Sequence, residues 1–246
     1  MHEHWLGFRI PLRRRTGAQL TMNASEPSPK NQLFTHFARV AKALASPVRL
    51  ELLEALAQGE HSVDELARAV GVPMANASHH LQVLRDGGLV HSRRDGVQII
   101  YSLTDETEIT QMIAGIRHIA EAQLAEVDRI VREAFTSRDS LTPMDPREVM
   151  KLARRGEVTV IDVRPRDEFH AGHVKGAINV PLEELGQYLA DLPRDREIVA
   201  YCRGPYCVLS YEAVEELRRA GFRARRLDAG YPEWKAARLP VARATR

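Results

Sequence analysis

The strongest constraint on the fold is a change of hydrophobic pattern at the polar segment 136–143. From Leu33 to this segment, apolar residues recur mainly at helical spacing, whereas beyond it short apolar runs of strand length alternate with amphipathic stretches. The 246 residues are enough for two separate cores. We therefore predict two domains, 31–135 and 144–243, with segment 136–143 as their linker.

Composition narrows the functional classes. A net charge of +2 excludes a uniformly basic nucleic-acid coat but permits a local basic face. No apolar run approaches the ~20 residues that span a bilayer, and Leu6–Ile10 is too short for a signal peptide. We therefore expect a cytoplasmic protein without a membrane partner. Residues 1–30 are expected to be a disordered tail, with a DNA-contacting arm at Arg13–Arg15, or a true start at Met22, as the alternatives.

The first domain is predicted to begin with four helices. They start at Leu33, at Pro47 and after Ser62, and the fourth covers Met74–Arg85. Ser62 and Glu65 have the spacing of a capping box, in which each side chain bonds the backbone amide of the other residue. The sequence thus predicts a helix pair separated by the short turn after the third helix.

A hairpin is predicted next, with strands Leu89–Arg93 and Val97–Leu103 around Asp95-Gly96, a strong turn sequence. Helix, turn, helix and hairpin form a winged helix-turn-helix, whose second helix enters the major groove of double-stranded DNA. DNA contacts are predicted on both the fourth helix and the hairpin. They are the outward-facing helix residues Met74, Asn76, Ser78, His79 and Gln82, and the hairpin residues Arg93, Arg94 and Gln98.

A long helix with an apolar stripe is predicted from Ile109 to Val131. This stripe exceeds what the small domain needs for its own core. A homodimer interface is the favoured interpretation, and packing against the first helix of the same chain is the alternative.

The second domain alternates strands and helices, which predicts a largely parallel sheet covered by helices on both faces. The predicted strands are Val158–Val163, Ala177–Val180, Ile198–Tyr201 and Ala224–Leu227. The predicted helices are Pro146–Arg155, Leu182–Leu189, Val208–Ala220 and Pro232–Ala236.

Both cysteines of the chain lie in one loop between a strand and a helix. Backbone amides and the helix dipole at such a junction favour an anion, so Cys202 is predicted to be a thiolate that accepts sulfane sulfur as a persulfide. An inert, buried cysteine is the alternative. The predicted substrate-binding loop comprises Arg203, Gly204, Pro205, Tyr206 and Cys207, in which Arg203 attracts a small anionic sulfur donor such as thiosulfate or a polysulfide.

Two interpretations of Cys207 remain open. It either packs as a small residue at the helix start, which is favoured because a disulfide within one short loop requires strain, or it acts as a resolving thiol that attacks the persulfide.

The first half resembles the ArsR/SmtB regulators in the stretches Ala45–Leu50, Ser78–Leu81, Gly88–Val90 and Arg93–Gly96. The resemblance implies a homodimer that binds a palindromic operator and usually represses. It also implies DNA contacts at Met74, Ala75, Ser78 and His79, of which Met74 and Ala75 are less polar than is usual there.

The metal sites of that family are not reproduced. The segment Gly59–Leu66 has no cysteine, and Asp105, Glu108 and His118 lack the spacing for four-coordinate zinc. We therefore expect no metal and no cofactor, with a metal sensor of unconventional site as an alternative function.

The second half resembles a rhodanese domain over about 145–241. The resemblance lies in the sequences Asp162–Pro165, Glu168–Phe169, Gly172–Val174, Gly176–Asn179, Cys202–Gly204 and Asp228–Trp234. The resemblance implies that Cys202 is the sulfur-accepting nucleophile and that Asp162 and Arg164 support its loop. A related phosphatase loop needs arginine at the sixth position after the cysteine, where this chain has Val208. The leading hypothesis is therefore a sulfur-responsive repressor, and the alternative is a sulfurtransferase with an autoregulatory DNA-binding domain.

Overall fold

The computed structural model describes residues 27–136 and 142–243. Most of the predicted tail, including Met22, and the middle of the predicted linker lie outside the described residues. The described residues divide after Ala38 into two units, and the second contains the sheets and every site discussed below. Leu33, Phe34 and Phe37 are exposed in the first unit.

The N-terminal half is a winged helix-turn-helix whose small antiparallel sheet has the order β1-β3-β2. Its elements are α1 (Pro29–Leu44), α2 (Pro47–Leu56), β1 (His61–Ser62), α3 (Val63–Ala69), α4 (Met74–Asp86), β2 (Val90–Asp95), β3 (Gln98–Leu103), α5 (Glu106–Gln123), α6 (Ala125–Val131) and a π-helical turn (Arg132–Thr136). Buried leucines from α2, α3 and α4 form its core, among them Leu52, Leu53, Leu66, Leu81 and Leu84.

Local sequence explains most of these boundaries. The predicted capping box forms, because the Ser62 hydroxyl accepts from the Glu65 amide and the Glu65 carboxylate accepts from the Ser62 amide. Asp105 caps α5 by accepting from the Glu108 amide at 2.9 Å. The first helix begins at Pro29, four residues before the predicted start.

The predicted single helix from 109 to 131 is wrong, because Leu124 adopts an extended conformation between α5 and α6. Neither proline nor glycine marks the break. Beyond it, Phe135 packs against the rings of Tyr206 and Tyr211, at centroid distances of 5.1 and 5.4 Å. The break at Leu124 is therefore accompanied by a tertiary contact of the segment that follows it, and not by a local helix-breaking residue.

The C-terminal half is an α/β domain with the predicted parallel sheet, whose strand order is β6-β4-β7-β8, and with a two-stranded antiparallel pair, β5-β9. Its elements are α7 (Pro146–Arg154), β4 (Val158–Asp162), α8 (Arg166–Ala171), β5 (His173–Val174), β6 (Ile178–Asn179), a 3-10 turn (Leu182–Glu184), α9 (Leu185–Tyr188), β7 (Glu197–Tyr201), α10 (Val208–Arg219), β8 (Ala224–Arg226), α11 (Tyr231–Ala236) and β9 (Val241–Ala242).

Alternate residues of the central strands enter two cores, which confirms helices on both faces of the sheet. Ile161 and Ala200 pack with residues of α9 and α10 on one face, whereas Val160 and Tyr201 pack with residues of α7 and α11 on the other. The predicted helix Leu182–Leu189 is corrected to a 3-10 turn and one α-helical turn. Within the described ranges, no helix is long and apolar enough to span a membrane.

Candidate functional site

The two cysteines lie in the loop that joins β7, a central strand of the parallel sheet, to α10. Their sulfur atoms are bonded, with an Sγ–Sγ distance of 2.18 Å. Cys202 is 1% exposed, whereas Cys207 is only partly buried and lines a cavity. The expectation of an open thiolate at Cys202 therefore does not describe this oxidised state. The favoured interpretation of Cys207 as merely a packing residue is corrected, because its sulfur is bonded to Cys202.

The backbone of this loop is held from both sides. The Cys202 carbonyl accepts from the Tyr231 amide at 3.0 Å, and the Cys207 carbonyl accepts from the Ser210 hydroxyl at 3.1 Å. The Cys207 amide donates to the Gly204 carbonyl at 3.2 Å rather than to a sulfur atom. That amide is therefore not one of the converging donors that the sequence predicted around Cys202.

Beneath the loop lies a buried ion pair at the end of β4. Asp162 and Arg164 are both 0% exposed, and Nη2 of Arg164 donates to Oδ2 of Asp162 at 2.7 Å. Arg164 also donates to the Gly172 carbonyl at 2.7 Å, and the Tyr201 hydroxyl donates to Asp162. Burial is the main cause that raises the pKa of Tyr201 well above its usual value, so this phenol stays protonated.

Gln58, which follows α2, connects the N-terminal half to this buried pair and to the loop. Its side-chain oxygen accepts from Nη1 of Arg164 at 3.0 Å, and its amide nitrogen donates to the Arg203 carbonyl at 3.2 Å. Gln58 itself is 4% exposed. A buried amide with both of its ends engaged fixes the relative position of the groups that it joins.

A second set of contacts joins the loop and α11 to α5. The Tyr206 hydroxyl donates to Glu121, and Arg117 donates to Glu233 at 3.2 Å. Burial and the Glu121 carboxylate raise the pKa of Tyr206. Lys235 of α11 pairs with Glu106 at the start of α5. The loop therefore touches the N-terminal half through both α2 and α5.

Arg203 does not present a free charge to an incoming anion. Its Nε donates to Oε1 of Glu168 at 2.9 Å, and its Nη2 also pairs with that carboxylate, whose side chain is 10% exposed. A guanidinium that is paired in this way has little charge left to attract thiosulfate. The predicted role of Arg203 as an anion attractor is thus not supported by its geometry. Glu168 belongs to the stretch Glu168–Phe169 that resembles rhodaneses, but its pairing with Arg203 was not predicted because the two residues are 35 positions apart.

A cavity of about 760 Å³ lies in front of the loop and is lined by residues of both halves. Cys207 and Arg203 contribute to its wall from the loop, and Glu51, Glu54 and Gln58 contribute from the N-terminal half. Burial is the main cause that raises the pKa of Glu54, and the nearby carboxylate of Glu233 adds to it.

The structure places the predicted DNA contacts on two exposed surfaces. Met74, Ala75, Asn76, Ser78, His79 and Gln82 are exposed on α4, and Arg93, Arg94 and Gln98 are exposed on the hairpin. Arg93 is paired with Glu60 and Asp95, whereas Arg94 bonds only the Gly96 carbonyl through Nε among the described residues. Arg94 is therefore the hairpin cation that is better placed for a phosphate.

The metal-ligand candidates do not converge within the described residues. Asp105 is engaged as the cap of α5, and no group of three or more His, Cys, Asp or Glu side chains in 27–136 and 142–243 could hold a metal ion.

Comparison with known proteins assigns both halves. The helix-turn-helix domain profile matches residues 44–93, and the rhodanese-like domain profile matches residues 145–237. Over 219 residues, 89% of this chain and 95% of the relative, the sequence is 43% identical to the HTH-type transcriptional regulator Rv0324 of Mycobacterium tuberculosis. The chain belongs to the ArsR-type transcriptional regulators that carry a rhodanese domain.

Other relatives resemble one half of this regulator. The HTH-type transcriptional regulator NmtR of M. tuberculosis is 39% identical over 125 residues, which are 50% of this chain and 96% of that protein. The solution structure of a homodimeric winged helix-turn-helix DNA-binding domain from Mycobacterium bovis is 39% identical in sequence. The match covers 41% of this chain and 93% of that domain, with a TM-score of 0.37. A rhodanese-like domain from Anabaena is 29% identical and covers 42% and 79%, with a TM-score of 0.38.

Proposed function

We propose that this regulator is a homodimeric repressor whose affinity for a double-stranded operator is set by the sulfur state of the Cys202–Cys207 loop. In the sulfur-loaded state, Cys202 carries a persulfide. The observation that supports this most directly is Gln58, which joins the loop carbonyl of Arg203 to the end of α2 through buried hydrogen bonds.

The coupling follows from the space around Cys202. A persulfide on this residue requires the bond to Cys207 to open and one more sulfur atom to fit where the side chain is 1% exposed. The loop backbone then has to move, and the Arg203 carbonyl with it. Gln58 transmits that movement to α2, which packs against the DNA-facing helix α4 through the shared leucine core. A ligand shifts DNA affinity only through such a difference between two states.

Exposed apolar side chains on the last helices of the N-terminal half support the dimer. Ile116 and Ile119 are 41% and 64% exposed on α5, and Ile130 is 46% exposed on α6. Apolar surface of this kind is typically covered by a partner. A DNA-binding role also supports a cytoplasmic location.

Replacing Gln58 with methionine is expected to uncouple DNA affinity from the sulfur state of the loop. Methionine keeps the length of the side chain but removes its hydrogen bonds to Arg164, to the Arg203 carbonyl and to the Glu54 carbonyl. The operator affinities of the oxidised and persulfidated states should therefore converge from a difference of roughly 5- to 150-fold towards equality. Operator affinity is measured by fluorescence anisotropy on a duplex selected from a random library, and Cys202 persulfidation is followed separately by mass spectrometry.

The matched control is Gln187→Met, because Gln187 is an exposed glutamine on α9. This control should keep the full difference in operator affinity between the oxidised and persulfidated states. A Gln58→Met protein that is folded, loads sulfur and still shows the wild-type difference would contradict the proposed route.

A sulfurtransferase is the second candidate, and the rhodanese-like match over residues 145–237 favours it. Turnover of thiosulfate with cyanide by the full chain separates the two functions. Repeated rapid turnover supports the enzyme, whereas a single stable loading of the loop supports the sensor.

A further inference from the structure

The cavity in front of the sulfur loop exposes one of the two bonded sulfur-bearing residues and hides the other. Cys207 lines the cavity of about 760 Å³ and is only partly buried. Cys202 is 1% exposed and does not contribute to the lining. A small molecule that enters this cavity therefore meets Cys207 first, although the persulfide of the proposed function ends on Cys202.

The charge of the cavity wall restricts what can enter. Five acidic side chains line it, namely Glu51, Glu54, Glu65, Asp167 and Glu168, and one of these, Glu168, is paired with Arg203. The two lining arginines are both paired, Arg203 with Glu168 and Arg68 with Asp64 at 2.7 Å, so neither offers an uncompensated positive charge. Coulombic repulsion across a partly desolvated cavity disfavours a molecule that carries its own carboxylate or sulfonate.

We propose that this cavity binds a low-molecular-weight thiol or persulfide whose substituent is cationic or uncharged, and that this molecule attacks Sγ of Cys207. The proposal rests on the proposed function, because it names the reactant that changes the sulfur state of the same loop.

The first step is thiol–disulfide exchange. The incoming thiolate RS⁻, whose proton has gone to solvent, forms a bond to Sγ of Cys207, the Sγ–Sγ bond breaks, and its electron pair stays on Cys202 as a thiolate. When the reactant is a persulfide RSS⁻, the same attack leaves R–S–S on Cys207. The Cys202 thiolate then attacks the sulfur atom that is bonded to Sγ of Cys207. This attack releases RS⁻ and leaves a trisulfide bridge between the two cysteines. Both sequences balance without an added oxidant or reductant.

The substituent preference is tested on the oxidised full chain with cysteamine, 2-mercaptoethanol and 3-mercaptopropionate as cationic, uncharged and anionic thiols. Each rate is divided by the rate of the same thiol with an uncharged model disulfide, which removes differences in intrinsic nucleophilicity. We expect the normalised rate to fall from cysteamine to 3-mercaptopropionate by roughly tenfold at low salt and the series to converge near 1 M salt. Equal normalised rates at low salt, or a faster anionic thiol, would overturn the substituent preference.

The site of attack is tested in the same reactions. Samples are quenched in acid, denatured and treated with N-ethylmaleimide, and the modified residues are located by mass spectrometry. Early time points should show the cysteamine adduct on Cys207 and N-ethylmaleimide on Cys202. The reverse assignment would overturn the entry of the reactant at Cys207.

Charge variants test whether the carboxylates of the cavity cause the preference for a cationic thiol over an anionic one. The double variant Glu51→Gln and Glu54→Gln should reduce the ratio of the cysteamine rate to the 3-mercaptopropionate rate several-fold, whereas Glu183→Gln, on the exposed 3-10 turn, should leave it unchanged. An unchanged ratio in the double variant would contradict the assignment. None of these measurements involves DNA, so failure of the proposed function in a DNA-binding assay and failure of this inference are separate results.

Discussion

Replacing Gly230 with alanine is expected to displace the sulfur loop and slow its chemistry by roughly 100-fold. A Cβ at this position would lie 2.3 Å from the carbonyl carbon and oxygen of Arg203 and 2.4 Å from the Gly204 nitrogen. These are backbone atoms, so no side-chain rotation relieves the overlap. The φ angle of Gly230 is −97°, which alanine readily adopts, so the expected effect comes from the close approach alone.

The measurement is the rate at which a thiol opens the Cys202–Cys207 bond, together with urea unfolding, in which a loss of about 1–3 kcal/mol is expected. The control is Gly186→Ala, because a Cβ there meets only the flexible end of Glu216 at 3.6 Å. A Gly230→Ala protein with the wild-type opening rate would show that the loop tolerates the displacement.

Replacing Asp162 with asparagine is expected to destabilise the C-terminal half by about 3–5 kcal/mol. The substitution keeps the size of the side chain but removes the closest counter-charge of the Arg164 guanidinium, which is 0% exposed. It leaves only the Glu168 carboxylate at 4.0 Å, which is itself paired with Arg203. Trp234 is 3% exposed in the core of this half, so its fluorescence in a Trp5→Phe background reports urea unfolding.

The double variant Asp162→Asn, Arg164→Met also removes the poorly compensated charge of Arg164 and should recover part of the lost stability. Asp195→Asn, which alters a pair with Arg196 at the surface, should leave unfolding unchanged. An Asp162→Asn protein as stable as the wild type would show that the buried pair contributes no net stability.

Sequence predicted the features whose causes lie within a few residues. The capping box of Ser62 and Glu65 forms as expected because its partners are three residues apart. The hairpin forms around Asp95 and Gly96, although its strands are shifted to Val90–Asp95 and Gln98–Leu103. The resemblance to rhodaneses also predicted that Asp162 and Arg164 support the loop. In the structure Asp162 pairs with Tyr201, next to Cys202, and Arg164 is joined to the loop through Gln58.

The contacts that join the two halves could not be predicted in this way. Gln58 lies 106 residues from Arg164 and 145 residues from Arg203, and nothing in its neighbourhood distinguishes it from a surface glutamine. Glu168 and Glu121 similarly gain their roles only when the fold brings them to Arg203 and Tyr206. Their interactions are long-range, so helical or strand periodicity carries no information about them.

The coupling of sulfur state to DNA affinity is tested most directly by the operator affinity of the full chain in three verified states of the loop, namely disulfide, dithiol and Cys202 persulfide. The DNA is a duplex selected from a random library, and mass spectrometry establishes the state of both cysteines before each titration. We expect the dissociation constants of the disulfide and persulfide states to differ by roughly 5- to 150-fold, and we expect Cys202→Ser to bind with one affinity under all treatments. The same dissociation constant in all three states would contradict the proposed coupling of sulfur state to DNA affinity.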